Sequence, residues 1–312
     1  MRIVVAIGGN ALLPRGGSLD ASVQLEQLAG VAPDLGELAS NNQVVIVHGN
    51  GPQVGMLAVQ SSGDDQLSRP YPLDDLVAET QGMIGYWLQQ ALANHSRRGA
   101  VTLISQTIVD LDDPAFGDPS KFIGPVYDRA TADRYAAEYG WQILQDGSGW
   151  RRVVASPVPY EVVETDIAVK LLESGTTVIL AGGGGIPVAY QGDRLVGVEA
   201  VVDKDLVAAT VAEQIFADLF VILTDVPGVM TGFATAEMAL VRSTTPDRLE
   251  ELDLPAGSMG PKAQAVARFV RNSGRRAAIG SLAELHGVVA GTHGTQVALG
   301  PVRERLLTGR SR

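Results

Sequence analysis

The chain of 312 residues has no cysteine, which excludes disulfide frameworks, zinc ribbons, iron–sulfur clusters and thiol catalysis. Histidine is scarce as well. His48, His95, His286 and His293 show no HExxH or comparable ligand spacing, so no protein-held metal centre is expected. Clustered basic stretches are also missing, and the formal charge is −11, which argues against nucleic acid or an anionic membrane as the main partner. A small anion is not excluded, because a local pocket can be positive on an acidic protein. No run of about 18 apolar residues occurs, so nothing is expected to span a bilayer. The opening MRIVVAIGGNALL carries one basic and five apolar residues straight into glycines and reads as a first strand, not a secretory signal. A cytoplasmic enzyme is the expectation. With 46% hydrophobic and 19% charged residues, the composition is that of a folded globule, long enough for one large α/β domain or two modest ones.

Short β-branched runs repeatedly end in glycine-rich turns and lead into segments of helical period. Strands are predicted over 2–7, 43–48, 177–180 and 219–223, and helices over 20–40, 73–97, 160–174, 203–214 and 260–272. This alternation predicts an α/β fold with a mainly parallel sheet covered on both faces, whose ligands bind beyond the carboxyl ends of the strands. One stretch, residues 112–159, is rich in Pro, Gly, Asp and Tyr and too long for an ordinary connection, so it reads as a small protruding subdomain or lid. No internal repeat is visible.

Lysine is rare beside arginine. Against twenty arginines stand only Lys121, Lys170, Lys204 and Lys262. A chain that uses arginine for surface charge keeps lysine mainly where a compact, flexible ammonium is required. Lys170 lies mid-helix and reads as a solvated residue. The other three sit in SKFIGP, VDKD and MGPK, at loops or helix starts; chance placement of surface lysines is the plain alternative. GGN at Gly8, Gly9 and Asn10, and GNG at Gly49, Asn50 and Gly51, each follow a strand and precede a helix, where unpaired amides attract anions. AGGGG and TDVPG mark two more strand ends. Together they suggest a phosphorylated ligand lying across several strand termini.

No G-x-x-x-x-G-K-[ST] and no G-x-S-x-G is present. GNGPQVG has three residues between its last glycines where a dinucleotide fingerprint has two, which leaves a Rossmann-type NAD(P) oxidoreductase as the lesser reading. Lysines, glycine loops and carboxylates without an evident general base suit phosphoryl transfer to an oxygen that is already anionic.

GGNALL, HGNGPQVG, SKFIGP, RRVVASPVP, GGGGIPV, GVEAVVDKDL, TDVPGV and AGSMGPK, in that order from residue 3 to about 300, resemble the carbamate kinases of the amino acid kinase superfamily. The resemblance implies a three-layer α/β/α sandwich over a single domain, 1–312. Residues 1–202 would form the acceptor half, with 112–159 protruding, and 203–312 the nucleotide half. It also implies a homodimer and the reversible reaction ATP + carbamate ⇌ ADP + carbamoyl phosphate with Mg2+. A kinase of another small carboxylate in the same superfamily is the alternative. Gly8, Gly9, Asn10, Gly49, Asn50 and Gly51 would hold carbamate and the migrating phosphoryl group. Lys121 would reach in from the protruding subdomain, and Lys204 and Lys262 would sit on the nucleotide phosphates with Asp205 orienting both. Thr224, Asp225, Val229, Met230, Met259, Gly260 and Pro261 would form the adenosine side. Asp203 reads as a helix N-cap, and His48 as orienting its loop instead of acting in catalysis. Trp87, Trp141 and Trp150 read as packing residues. Phe122, Ala155, Pro227 and Met230 depart from the family's usual residues.

Overall fold

The computed structural model describes residues 1–9, 13, 17–232, 238–255 and 258–300. Its first part runs β1 (Arg2–Ile7), α1 (Ala21–Asn41), β2 (Gln43–His48), α2 (Gly51–Ser62), α3 (Leu73–Ala93), β3 (Ala100–Thr102) and β4 (Gln106–Val109). Next come β5 (Lys121–Tyr127), α4 (Arg129–Tyr139), β6 (Gln142–Asp146), β7 (Gly149–Val154), β8 (Pro159–Val162) and α5 (Thr165–Glu173). β9 (Thr177–Ile179), β10 (Ile186–Gln191), β11 (Arg194–Gly197) and α6 (Lys204–Gln214) follow. The chain continues through β12 (Leu219–Thr224), β13 (Met230–Thr231), β14 (Ala239–Leu240), β15 (Ser243–Thr244) and α7 (Pro246–Glu250). The last described elements are α8 (Met259–Ser273), β16 (Arg276–Ser281), α9 (Leu285–Ala290) and β17 (Thr295–Val297).

Eight strands form the central sheet in the order β15-β17-β16-β12-β1-β2-β9-β3, parallel except where β17 meets β16. Period-two alternation assigns the two faces of β1 to different cores. Ile3, Val5 and Ile7 pack with Leu28, Leu35 and Leu88 of α1 and α3, and with Leu285 and Val288 of α9. Val4 and Ala6 pack on the other side with Val207 and Val211 of α6 and Val266 and Phe269 of α8. The result is the expected three-layer α/β/α arrangement. α6 is buried almost all round, from Val207 to Ala212, as expected of a helix apolar on every face.

A second sheet, β11-β10-β4-β8, was not legible in the sequence. It takes Pro159–Val162 as a strand, so the helix predicted over 160–174 begins only at Thr165. Within the 112–159 excursion, β5, β7 and β6 make an antiparallel sheet of their own with α4 against it. Its small core is aromatic: the rings of Tyr127, Tyr139 and Trp141 each lie 5.3–5.7 Å from that of Tyr135. Trp141 and Trp150 also carry the guanidinium groups of Arg152 and Arg129 at 4.3 and 4.1 Å, while Trp87 packs in the core under α3.

Candidate active site

The loops after β1 and β2 meet at the carboxyl edge of the sheet. The Gly8 amide donates to the Leu223 carbonyl and the Gly49 amide to the Ile7 carbonyl, both at 3.1 Å. A Cβ on Gly49 would lie 3.2 Å from the Gly9 nitrogen and 3.3 Å from Lys204 Cδ, so two glycine loops and a lysine stem share one tight place. Asn50, nearly buried, donates through its side-chain amide to Thr80 Oγ1 on α3 at 2.8 Å. Gly51 opens α2, whose first amides lack intrahelical partners. Asn10 lies outside the described residues.

The glycine run 182–185 lies against this loop from behind. Gly183 sits at φ +70°, and a Cβ there would be 2.0 Å from Asn50 Nδ2; one on Gly182 would be 2.2 Å from His48 Nε2. His48 is fully buried, with Nδ1 3.0 Å from the Gly49 carbonyl oxygen. Burial lowers its pKa to about 4, so the ring is neutral and fixes its loop, as the sequence suggested.

All three singled-out lysines arrive at the N-terminus of α6. Lys204 Nζ lies 2.5 Å from Asp205 Oδ1, and Lys262 Nζ, from the first turn of α8, lies 3.0 Å from Asp205 Oδ2. Lys121 Nζ, at the start of β5, lies 3.1 Å from Asp203 Oδ2. The other oxygen of Asp203 caps α6, accepting from the Asp205 amide at 2.9 Å and the Leu206 amide at 3.4 Å. The cap was legible in the sequence; its second contact, to Lys121, was not. Asp205 is 3% exposed. Burial pushes its carboxyl upward, but the Lys204 and Lys262 ammonium groups and their hydrogen bonds outweigh that and hold its pKa below the ordinary aspartate value. Three cations, two anions and a helix N-terminus leave the cluster net positive, suited to phosphate.

Lys262 also lines an adjoining cavity of about 300 Å³. Thr224, Asp225, Met230 and Met259, four of the residues expected on the adenosine side, line it together. Val229 does not: it is fully buried, and its amide donates to Thr295 Oγ1 at 2.8 Å. Gly260 and Pro261 belong to the first turn of α8, and the Gly260 amide donates to the Pro255 carbonyl at 2.9 Å. Among the walls not anticipated are Leu252, Asp253, Leu254 and Pro255, a stretch carrying no motif and apolar but for its one aspartate.

A model of the Amino acid kinase family matches residues 1–281. The chain belongs to that family. Its relatives include the carbamate kinase of Rhizobium meliloti strain 1021, 46% identical over 303 residues, covering 96% of this chain and 93% of that protein. The carbamate kinase of Escherichia coli strain K12 is 47% identical over 298 residues, covering 95% and 99%. Among solved structures, carbamate kinase from Giardia lamblia bound to AMP-PNP superposes with a TM-score of 0.89 at 33% identity, covering 96% of this chain and 98% of the other. End-to-end similarity to kinases removes the dinucleotide-oxidoreductase reading of GNGPQVG.

Proposed function

We infer that the chain is a carbamate kinase, interconverting ADP and carbamoyl phosphate with ATP and carbamate. The observation that carries the site assignment is the gathering of Lys121, Lys204 and Lys262 on Asp203 and Asp205 at one helix N-terminus, beside the glycine loops. In the ATP-forming direction an ADP β-phosphate oxygen attacks phosphorus as the bond from phosphorus to the carbamate oxygen breaks. Neither oxygen needs a base, because both nucleophile and leaving group are anions. The protein's task is alignment and charge neutralisation. Gly9, Asn50 and Gly51 present amides to carbamate and the transferring group, with Asn10 assigned to the same role, while Gly8 and Gly49, whose own amides hold the Leu223 and Ile7 carbonyls, keep the two loops close together. Lys121 approaches from the lid, and Lys204 and Lys262 face the nucleotide phosphates, oriented by Asp205. The adenosine lies in the cavity between Met230, Leu252 and Met259.

Mg2+ enters in this reading on the nucleotide. Among the described residues no three His, Asp or Glu side chains converge, and both oxygens of Asp205 are engaged by lysines. A nucleotide-borne Mg2+ would take phosphate oxygens and water as ligands, and its charge would add to that of the lysines. Residues 1–202 act as the acceptor half and 203–312 as the nucleotide half of one domain. A cytoplasmic homodimer completes the proposal; no described helix is long and apolar enough to cross a membrane.

A luciferase-coupled assay of ATP formation from ADP tests this against the alternative of another small carboxylate. Carbamoyl phosphate is expected to support turnover with acetyl phosphate at least about tenfold poorer in kcat/KM. Equal or better use of acetyl phosphate overturns the carbamate assignment.

A further inference from the structure

We propose that Arg152 and Glu199 are positioning residues that set where Lys121 stands relative to Lys204. The inference rests on the site reading above and adds two residues to it.

Lys121 sits on β5, which pairs antiparallel with β7, Lys121 opposite Val154 and Ile123 opposite Arg152. The lid that carries it meets the body at an apolar contact, where Ile123 and Val154 pack with Val54, Ala58 and Leu76 of α2 and α3, and along one short polar segment. Glu199 ion-pairs with Arg152. The Val201 amide donates to the Ala155 carbonyl at 3.0 Å, and Ala155 bridges Ala200. Asp203 then takes Lys121. Immediately afterwards the same segment becomes α6, which bears Lys204 and Asp205. A single run of chain thus grips the lid at Arg152, Ala155 and Lys121 before it presents the nucleotide-facing lysine.

Of these grips, the one between Arg152 and Glu199 is the anchor. The Arg152 side chain is only 10% exposed, and its guanidinium is pressed on the Trp141 ring of the lid's own core. The other oxygen of Glu199 accepts from the Leu73 amide at 2.9 Å, at the start of α3. That helix also holds Asn50 through Thr80. Beside the pair, a cavity of about 800 Å³ bordered by Tyr71, Phe116 and Trp141 separates lid from body. Ile123 and Val154 pack on α2 and α3 elsewhere along the lid, and on the side of this cavity the ion pair joins lid to body. Lys121 lies beyond that anchor on the paired strand, and a displacement of about 1 Å at a reacting group is enough to cost on the order of a hundredfold in rate.

The test is a double-mutant cycle on the full-length enzyme, reading ATP formation from ADP and carbamoyl phosphate. Arg152→Lys keeps charge but loses the planar fork. It is expected to lower kcat about tenfold to a hundredfold and to leave KM for ADP unchanged. In a Lys121→Ala background the same change is expected to cost nothing further, because the group it positions is gone. Equal losses in both backgrounds, no loss in the wild-type background, or a raised KM for ADP overturns the proposal. Glu199→Gln repeats the cycle with a side chain that still accepts from the Leu73 amide, and it decides the matter if Arg152→Lys does not fold. A Lys121→Ala enzyme with undiminished turnover contradicts the site assignment itself, an outcome distinct from additivity in the cycle.

Discussion

Lys262 Nζ donates to Asp205 Oδ2 at 3.0 Å across 57 residues of sequence, joining the first turns of α6 and α8. Lys204 holds the opposite oxygen, so the carboxylate is enclosed between two ammonium groups. Removing its charge frees two partly buried cations. Asp205→Asn is expected to lose about 3–5 kcal/mol of stability and nearly all turnover. Urea unfolding with a parallel activity assay measures both. The sign with pH follows from the depressed pKa: the contribution is complete above the ordinary aspartate value and is lost as pH falls through the lower folded value. A variant as stable as the parent contradicts the arrangement.

His48 gives a second pH dependence, of the same sign but in a higher window. Its folded pKa of about 4 lies below the ordinary 6.5, so the unfolded chain takes up a proton first as pH falls. Stability is expected to drop between pH 6.5 and 4, by an amount on the order of 3 kcal/mol. In His48→Gln that component of the slope is expected to vanish in denaturation series run from pH 7 to 4. An unchanged slope shows that the ring is not held neutral.

Gly183→Ala introduces a Cβ 2.0 Å from Asn50 Nδ2 at φ +70°. Overpacking alone costs about 1–3 kcal/mol, and the positive φ adds to it. Asn50 is expected to be pushed off Thr80, raising KM for carbamoyl phosphate more than KM for ADP. Steady-state kinetics with each substrate varied separates the two.

The central sheet was legible because β1, β2, β9 and β12 are buried on both faces and therefore read as unbroken apolar runs. β8 was not, since Pro159–Val162 abuts a helical pattern and its partner β4 lies some fifty residues upstream, where no local period reports it. The same division runs through the site. Scarcity of lysine against arginine pointed to Lys121, Lys204 and Lys262. The contact of Lys121 with Asp203 depends on β5 returning over α6, a tertiary event that local spacing does not encode. The Leu252–Leu254 wall escaped notice because its apolar side chains serve a cavity, and apolar side chains in a sequence look alike whether they line a cavity or a core.

Leu252 borders that cavity together with Met230 and Met259. Leu252→Ala removes apolar surface from the proposed adenosine side, together with some packing on the core that backs it. KM for ADP is expected to rise about tenfold, from a loss of about 1–3 kcal/mol of contact, with KM for carbamoyl phosphate unchanged. Equal effects on both substrates, read from the same kinetic series, remove the adenosine assignment.

Lys121 stands 42% exposed with a single ion pair to Asp203, so its loss should hardly disturb the fold. The decisive measurement is the kcat for ATP formation by Lys121→Ala at saturating ADP and carbamoyl phosphate, with thermal unfolding followed alongside. Expected is a fall of about a hundredfold or more at an essentially unchanged midpoint. Turnover close to the parent enzyme, in a protein equally well folded, contradicts the claim that the lid's ammonium stabilises the transferring phosphoryl group.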